Sequence, residues 1–172
     1  MKKILPFLFL ALATLFMYSC DNRDNTTYVG DGDTIAKMTD VTGTFTSANN
    51  YGFTQNINIQ STDVVLVYRR DVNLNNAWQL IPKTYFLSAG RELDYNALFS
   101  SQQVEVYIDP SFDLSTMTST EANQFLNNQT FRIVLVPASQ AKGTTSVDYN
   151  DYNAVIKYYN LDDSKVASKK FN

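Results

Sequence analysis

The sequence predicts a mainly β domain, an antiparallel β-sandwich of about eight strands with two short helices near 119–127 and 149–159. Three observations predict it. From Asp40 onward, short segments alternate apolar and polar residues, the period of a strand with one buried face. The connections between them are mostly short and carry turn residues, which favours antiparallel pairing over parallel crossovers. The chain also holds 11 Tyr, 11 Phe and 1 Trp, rings that pack across neighbouring strands.

Taken in order, Val41, Gly43, Phe45 and Ser47 share one face of a first strand. Ala48-Asn49-Asn50-Tyr51-Gly52 reads as a hairpin turn, because Asn and Gly tolerate positive φ. Residues 53–59 return with Phe53, Ile57 and Ile59 on one side. Residues 64–68 are apolar throughout, the mark of a central strand covered on both faces. Residues 78–81, 85–87, 93–99 and 104–108 continue the series, and residues 131–136 are a second central candidate. Residues 165–172 read as a short terminal strand or a frayed end. Two sheets packed face to face bury this many half-apolar strands.

Thr118 and Glu121 have capping-box spacing, and Ala122, Phe125 and Leu126 then form one apolar stripe. In the second helix Asp148 is the expected cap. Tyr149, Tyr152, Val155, Ile156 and Tyr159 fall on one side at steps of three and four, a stripe suited to packing against a sheet edge.

The amino terminus follows a different logic. Lys2 and Lys3 precede an apolar run over residues 4–18, Ser19 follows, and Cys20 is the chain's only cysteine. About fifteen apolar residues fall short of the ~20 that a membrane-spanning helix needs. The layout is that of a removed export signal over residues 1–19. Its ending in cysteine resembles a bacterial lipoprotein signal, which implies cleavage before Cys20 and attachment of lipid to its thiol. A lone exported thiol has no internal disulfide partner, and lipidation removes that liability. Residues 20–39 are rich in Asp, Asn and Thr and read as a flexible acidic tether to a domain at 40–172. Asp31-Gly32-Asp33 reads as solvated linker, since it lacks further oxygen ligands at calcium-loop spacing.

Removing residues 1–19 leaves 153 residues, enough for one domain with a real core. It also leaves 12 basic side chains against 17 acidic, a net charge of −5. That balance argues against nucleic acid and against an electrostatic hold on anionic lipid.

Several blocks resemble a recurring group of small Bacteroidota-type (flavobacterial-like) lipoproteins of unassigned function. They are Phe45-Thr46-Ser47-Ala48-Asn49-Asn50-Tyr51, residues 61–69, Trp78-Gln79-Leu80-Ile81-Pro82, Asn128-Gln129-Thr130-Phe131-Arg132 and Asp148-Tyr149-Asn150-Asp151-Tyr152. The resemblance covers most of residues 41–161 and implies surface location and a compact β-domain. It transfers no functional residue. In such lipoproteins acidic residues behind the lipidated cysteine mark export to the outer face of the outer membrane, and Asp21 and Asp24 resemble that signal. Asp33-Thr34-Ile35 resembles the O-glycosylation site of those bacteria.

The chain contains no histidine, and lipidation of Cys20 leaves no thiolate. Ser-His-Asp triads, Cys-His dyads and imidazole metal sites are therefore absent, and no phosphate-cradling glycine pattern occurs. No cofactor or metal is expected, and no catalytic residue is assigned. Asp94, Glu105, Asp109 and Asp113 remain as carboxylates on or beside strands. A converging pair would suit glycoside hydrolysis, and isolated surface acids are the simpler reading. Asp109-Pro110-Ser111-Phe112-Asp113 reads as a turn. Arg69 is expected to pair at the surface with Asp71 or Asp63, where such a bridge contributes little. Trp78, Tyr85 and Tyr95 are the candidate ligand-binding residues, either a carbohydrate-stacking platform or rings alternating into the core. The function expected is a noncatalytic surface lipoprotein with a binding or structural role toward an extracellular protein or glycan. An accessory carbohydrate-binding module is the alternative, and a carboxylate-dependent hydrolase is third.

Overall fold

The computed structural model describes residues 36–140 and 146–171. The leader, Cys20, Thr34 and most of the acidic tether lie outside them.

The fold is mainly β, and the described residues form nine strands in two sheets and two helices. The strands are β1 (Lys37–Gly43), β2 (Gly52–Asn56), β3 (Val64–Asp71), β4 (Ala77–Leu80), β5 (Lys83–Phe86), β6 (Glu92–Phe99), β7 (Gln103–Pro110), β8 (Gln129–Val136) and β9 (Ala167–Lys170). The helices are α1 (Ser119–Phe125) and α2 (Tyr152–Tyr158). One sheet, here sheet A, has the order β4-β3-β8-β1-β9, and sheet B has the order β2-β7-β6-β5. Every pairing is antiparallel except β1 with β9, which is parallel. The short terminal strand therefore forms.

Strand alternation sorts the side chains into layers. Val41, Val65, Val67, Phe131 and Ile133 of sheet A meet Phe53, Leu93, Tyr95, Val104 and Val106 of sheet B in one core. The opposite face of sheet A presents Leu66, Tyr68, Val134 and Val136, and α2 covers these with Tyr152, Val155 and Tyr159. Residues 64–68 and 131–136 are thus buried on both faces, as their apolar runs, broken only by Arg132, predict. The order is sheet B, sheet A, α2.

Four expectations need correction. β1 begins at Lys37, four residues before the expected start of the first strand at Val41, and Ala36 and Met38 pack into the apolar layer beneath α2. Residues 48–52 do turn, with Asn50 and Tyr51 at φ 52° and 51°, but they form no hairpin. β1 lies in sheet A and β2 pairs with β7 in sheet B, so the segment carries the chain between layers. The cap of α2 is Asp151, whose side chain accepts from the Ala154 amide, while Asp148 accepts from the Asn150 amide one turn earlier. α2 also packs on a sheet face and not on an edge.

The first helix forms as its sequence specifies. The Glu121 amide donates to Thr118 Oγ1 at 3.2 Å and the Thr118 amide donates back to Glu121 Oε2 at 2.9 Å. That backbone bond, aided by Arg91, holds the Glu121 carboxyl below its usual pKa. α1 delivers Phe125 and Leu126 to the core.

The tyrosines add a pH dependence. Burial raises Tyr68 and Tyr95 well above the ordinary phenol value, and raises Tyr152 to about 12 against the opposing pull of Arg132. Unfolded tyrosines ionise near pH 10, at about the value of a free phenol. Their contribution to stability is therefore complete below pH ~10 and is lost as pH climbs toward the folded-state values. Phenolate absorbance should show a delayed class of tyrosines and falling stability above pH ~10. Titration of all of them near pH 10 in the folded protein would contradict this.

Candidate functional site

Alternation in β3 sends Arg69 inward and Arg70 outward, and the two do different things. Arg69 is fully buried and all five of its N–H donors have acceptors. Nε and Nη2 donate to Gln129 Oε1 at 3.1 and 2.7 Å, and Nη2 also donates to the Gln124 carbonyl at 2.7 Å. Nη1 donates to Asp71 Oδ2 at 3.2 Å and to the Tyr85 hydroxyl at 3.0 Å. Its plane lies about 5 Å from the ring centres of Tyr85 and Tyr95. The exposed, weak bridge that the sequence suggests is in fact a buried one, because the strand keeps its inward parity one residue beyond the apolar run.

This geometry places two of the three candidate aromatics. Tyr95 is completely buried and its hydroxyl donates to the Phe125 carbonyl. Tyr85 packs edge-on against Tyr95 and donates to Gln79 Oε1 at 2.6 Å. Burial raises both phenols, with Arg69 opposing. They are inward-facing scaffold around Arg69. Trp78 lies on the other face of sheet A, in the α2 layer, so the three rings form no common platform.

Trp78 has its own surroundings. The Arg132 guanidinium sits over its ring at 4.4 Å, and Tyr152 lies beside it at 5.7 Å. Arg132 is held by Asp40 through Nε to Oδ1 at 2.7 Å and Nη2 to Oδ2 at 2.9 Å. It also donates to the Tyr152 hydroxyl, which donates to Asp163 Oδ2 at 3.2 Å. Above this base opens a pocket of about 540 Å³. Trp78 and Tyr152 line it together with Asn76, Asn150, Asn153, Asp151 and Asp163. It offers one indole, one phenol ring and a rim of amides and carboxylates.

The carboxylates are differently disposed. Asp94 and Asp109 stand directly opposite on β6 and β7, on the outer face of sheet B, and Asp94 Oδ1 has no hydrogen-bond partner among the described residues. That face is open, with Asp109, Glu92 and Glu105 exposed, so the pair does not converge across a cleft. Asp113 accepts from the Ser115 amide at 2.9 Å, which lowers its pKa. Among the described residues no group of three or more Asp, Glu, His or Cys could hold a metal ion, and no helix is long and apolar enough to cross a membrane.

Sequence reasoning singles out Trp78 and passes over Arg132, Asn76, Asn150, Asn153 and Asp163. The readable signal is Arg132, a cation inside the apolar run 131–136. Its parity with Val134 and Val136 assigns it to the α2 side of the sheet. The asparagines carry no such signal, because Asn76 comes from the β3–β4 turn and Asn150 and Asn153 from the start of α2, segments that meet only in the fold. Comparison of the chain with family models, curated proteins and solved structures gave no match.

Proposed function

We propose that this chain is a noncatalytic binding protein, anchored to the outer membrane by lipid on Cys20 and facing the cell exterior, and that the Trp78 pocket receives a glycan. The observation that carries the ligand class is the pocket's composition. An aromatic ring beside amides and carboxylates suits a sugar, whose apolar face packs on a ring while its hydroxyls both donate and accept. The anchor and location rest on the leader that ends at Cys20 and on the acidic residues behind it. A binding role is supported by a sequence without histidine, whose only thiol is the one assigned to lipid.

Trp78 is the only tryptophan, so its fluorescence reports on this pocket alone. Titration with a panel of neutral and acidic polysaccharides should shift that emission. In calorimetry, which does not depend on the indole, Trp78→Ala and Asn153→Ala on the exposed rim should each weaken binding by about tenfold, near 1.4 kcal/mol. The rim variant guards against a loss of folding in the indole variant. An unchanged spectrum across the panel would remove the glycan reading. An unmodified Cys20 thiol in the mature protein, read by mass spectrometry, would remove the anchor.

A further inference from the structure

The pocket at Trp78 is the first of three depressions along a single line across sheet A. The register fixes that line. Trp78 is opposite Arg70, Arg70 lies one step past the Arg69–Phe131 pair that ends the β3–β8 register and meets Thr130 through its side chain, Thr130 is opposite Thr42, and Thr42 is opposite Lys170. Four steps of about 4.8 Å make the line about 19 Å long. Side-chain contacts bind its members together. The Arg70 guanidinium lies 5.9 Å from the Trp78 ring, Arg70 Nη2 donates to Thr130 Oγ1 at 3.1 Å, and Thr130 and Thr42 share a hydroxyl bond at 2.8 Å.

The second depression, about 280 Å³, is lined by Arg70 and Thr130 with Asn123, Asn127 and Asn128. The third, about 260 Å³, is lined by Thr42, Thr44, Thr46, Asn128 and Lys170. Charge changes sign along the series. Asp151 and Asp163 line the first depression, which has no cation in its lining. Arg70 and Lys170 line the other two, which have no carboxylate. The charges of the sheet's outward arginines are also met unequally. Arg132 is neutralised by Asp40 and Asp163. Arg70 makes no ion pair among the described residues, its Nε is buried without a partner, and its one side-chain hydrogen bond goes to a neutral hydroxyl.

An arginine left with unused donors at a polar surface is suited to an anionic group, which its planar fork meets in bidentate fashion. We infer that the glycan is an acidic oligosaccharide laid along this row, with a neutral sugar over Trp78 and a uronate carboxylate on Arg70 and toward Lys170. The inference rests on the glycan reading and specifies it further. The carboxylates of the first depression would repel a uronate there, so the charge sequence fixes the direction in which the chain lies. The net negative charge of the whole domain also makes attraction of an anion a local property of this face.

The test uses the mature protein and a set of uronate-containing oligosaccharides of defined sequence, each paired with its carboxyl-reduced neutral form. Calorimetry at low ionic strength should show at least one acidic member preferred over its neutral form by tenfold or more. Arg70→Gln, which removes the charge and keeps a polar side chain, should bring that ratio close to one. Lys170→Gln should lower it by a few-fold, and added salt should compress it in the wild type, since exposed charges are screened. Equal binding of acidic and neutral forms, or a preference that survives Arg70→Gln, would overturn the inference and leave the glycan reading standing. No binding of either form across the set would overturn both. Binding to vesicles of anionic lipid in place of any oligosaccharide would do the same.

Discussion

Arg69→Met should cost about 3–5 kcal/mol of unfolding free energy, the range found when one partner of a buried ion pair is removed. The loss is not that of one salt bridge. Asp71 is 4% exposed and would keep a charge with its cation gone, and Gln129 Oε1, the Gln124 carbonyl and the Tyr85 hydroxyl would all lose a donor. These acceptors lie on β3, β8, α1 and β5, so the guanidinium ties both sheets to the first helix. Arg69→Lys should recover only part of the loss, because an ammonium has three donors in place of five and no plane to lie against Tyr85 and Tyr95. Combining Arg69→Met with Asp71→Asn should be less damaging than the two single losses added together, since the second change removes the orphaned charge. Urea denaturation of the four proteins measures all of this. A loss below about 1 kcal/mol for Arg69→Met would show that the network contributes no more than a surface pair does.

Arg69 also shows where sequence stops being informative. The continuous apolar run of residues 64–68 and the largely apolar run 131–136 make both strands and their central positions legible, because burial on two faces demands nearly continuous apolar sequence. The capping box of α1 is legible for a local reason, as both partners lie within four residues. Pairing across the chain is not local. Asn49, Asn50 and Gly52 announce a change of direction, yet nothing in those residues says that β2 will find β7 some fifty positions later instead of β1. Burial of a charge is likewise decided by its acceptors. Gln129 is 60 residues from Arg69 in sequence, and only the fold brings its amide beneath the guanidinium.

The candidate site follows the same division. Trp78 is conspicuous as the single indole, and its strand is readable. Tyr85 and Tyr95 share its composition signal but belong to the opposite layer, since their strands lie in sheet B and point into the shared core. What surrounds Trp78 comes from the β3–β4 turn, from the segment before α2 and from the turn after it. Three loops with Asn and Asp are unremarkable in sequence and become a polar rim only when α2 docks on sheet A.

Phe45→Ala should be the most damaging single truncation in the apolar core, at about 3–5 kcal/mol, the usual cost of deleting a buried phenyl ring. Phe45 is 1% exposed although it lies outside regular structure, in the segment that leaves β1 for β2. Its ring is within 5.2–6.2 Å of those of Phe53, Tyr95, Phe131 and Phe171, mostly edge-on or tilted, so it joins both sheets and the carboxyl-terminal segment. Its amide donates to the Leu126 carbonyl at 3.0 Å, which fixes the loop against the end of α1. Relaxation into the vacancy is hindered on one side, because Phe171 is seated on Gly43, where even a methyl group would fall 2.4 Å from the Phe171 carbonyl oxygen. Phe86→Ala provides the contrast. That ring is 78% exposed on sheet B, and its removal should change stability by no more than about 0.5 kcal/mol. If chemical denaturation finds the two variants alike, the crossing segment at Phe45 is not what joins the layers.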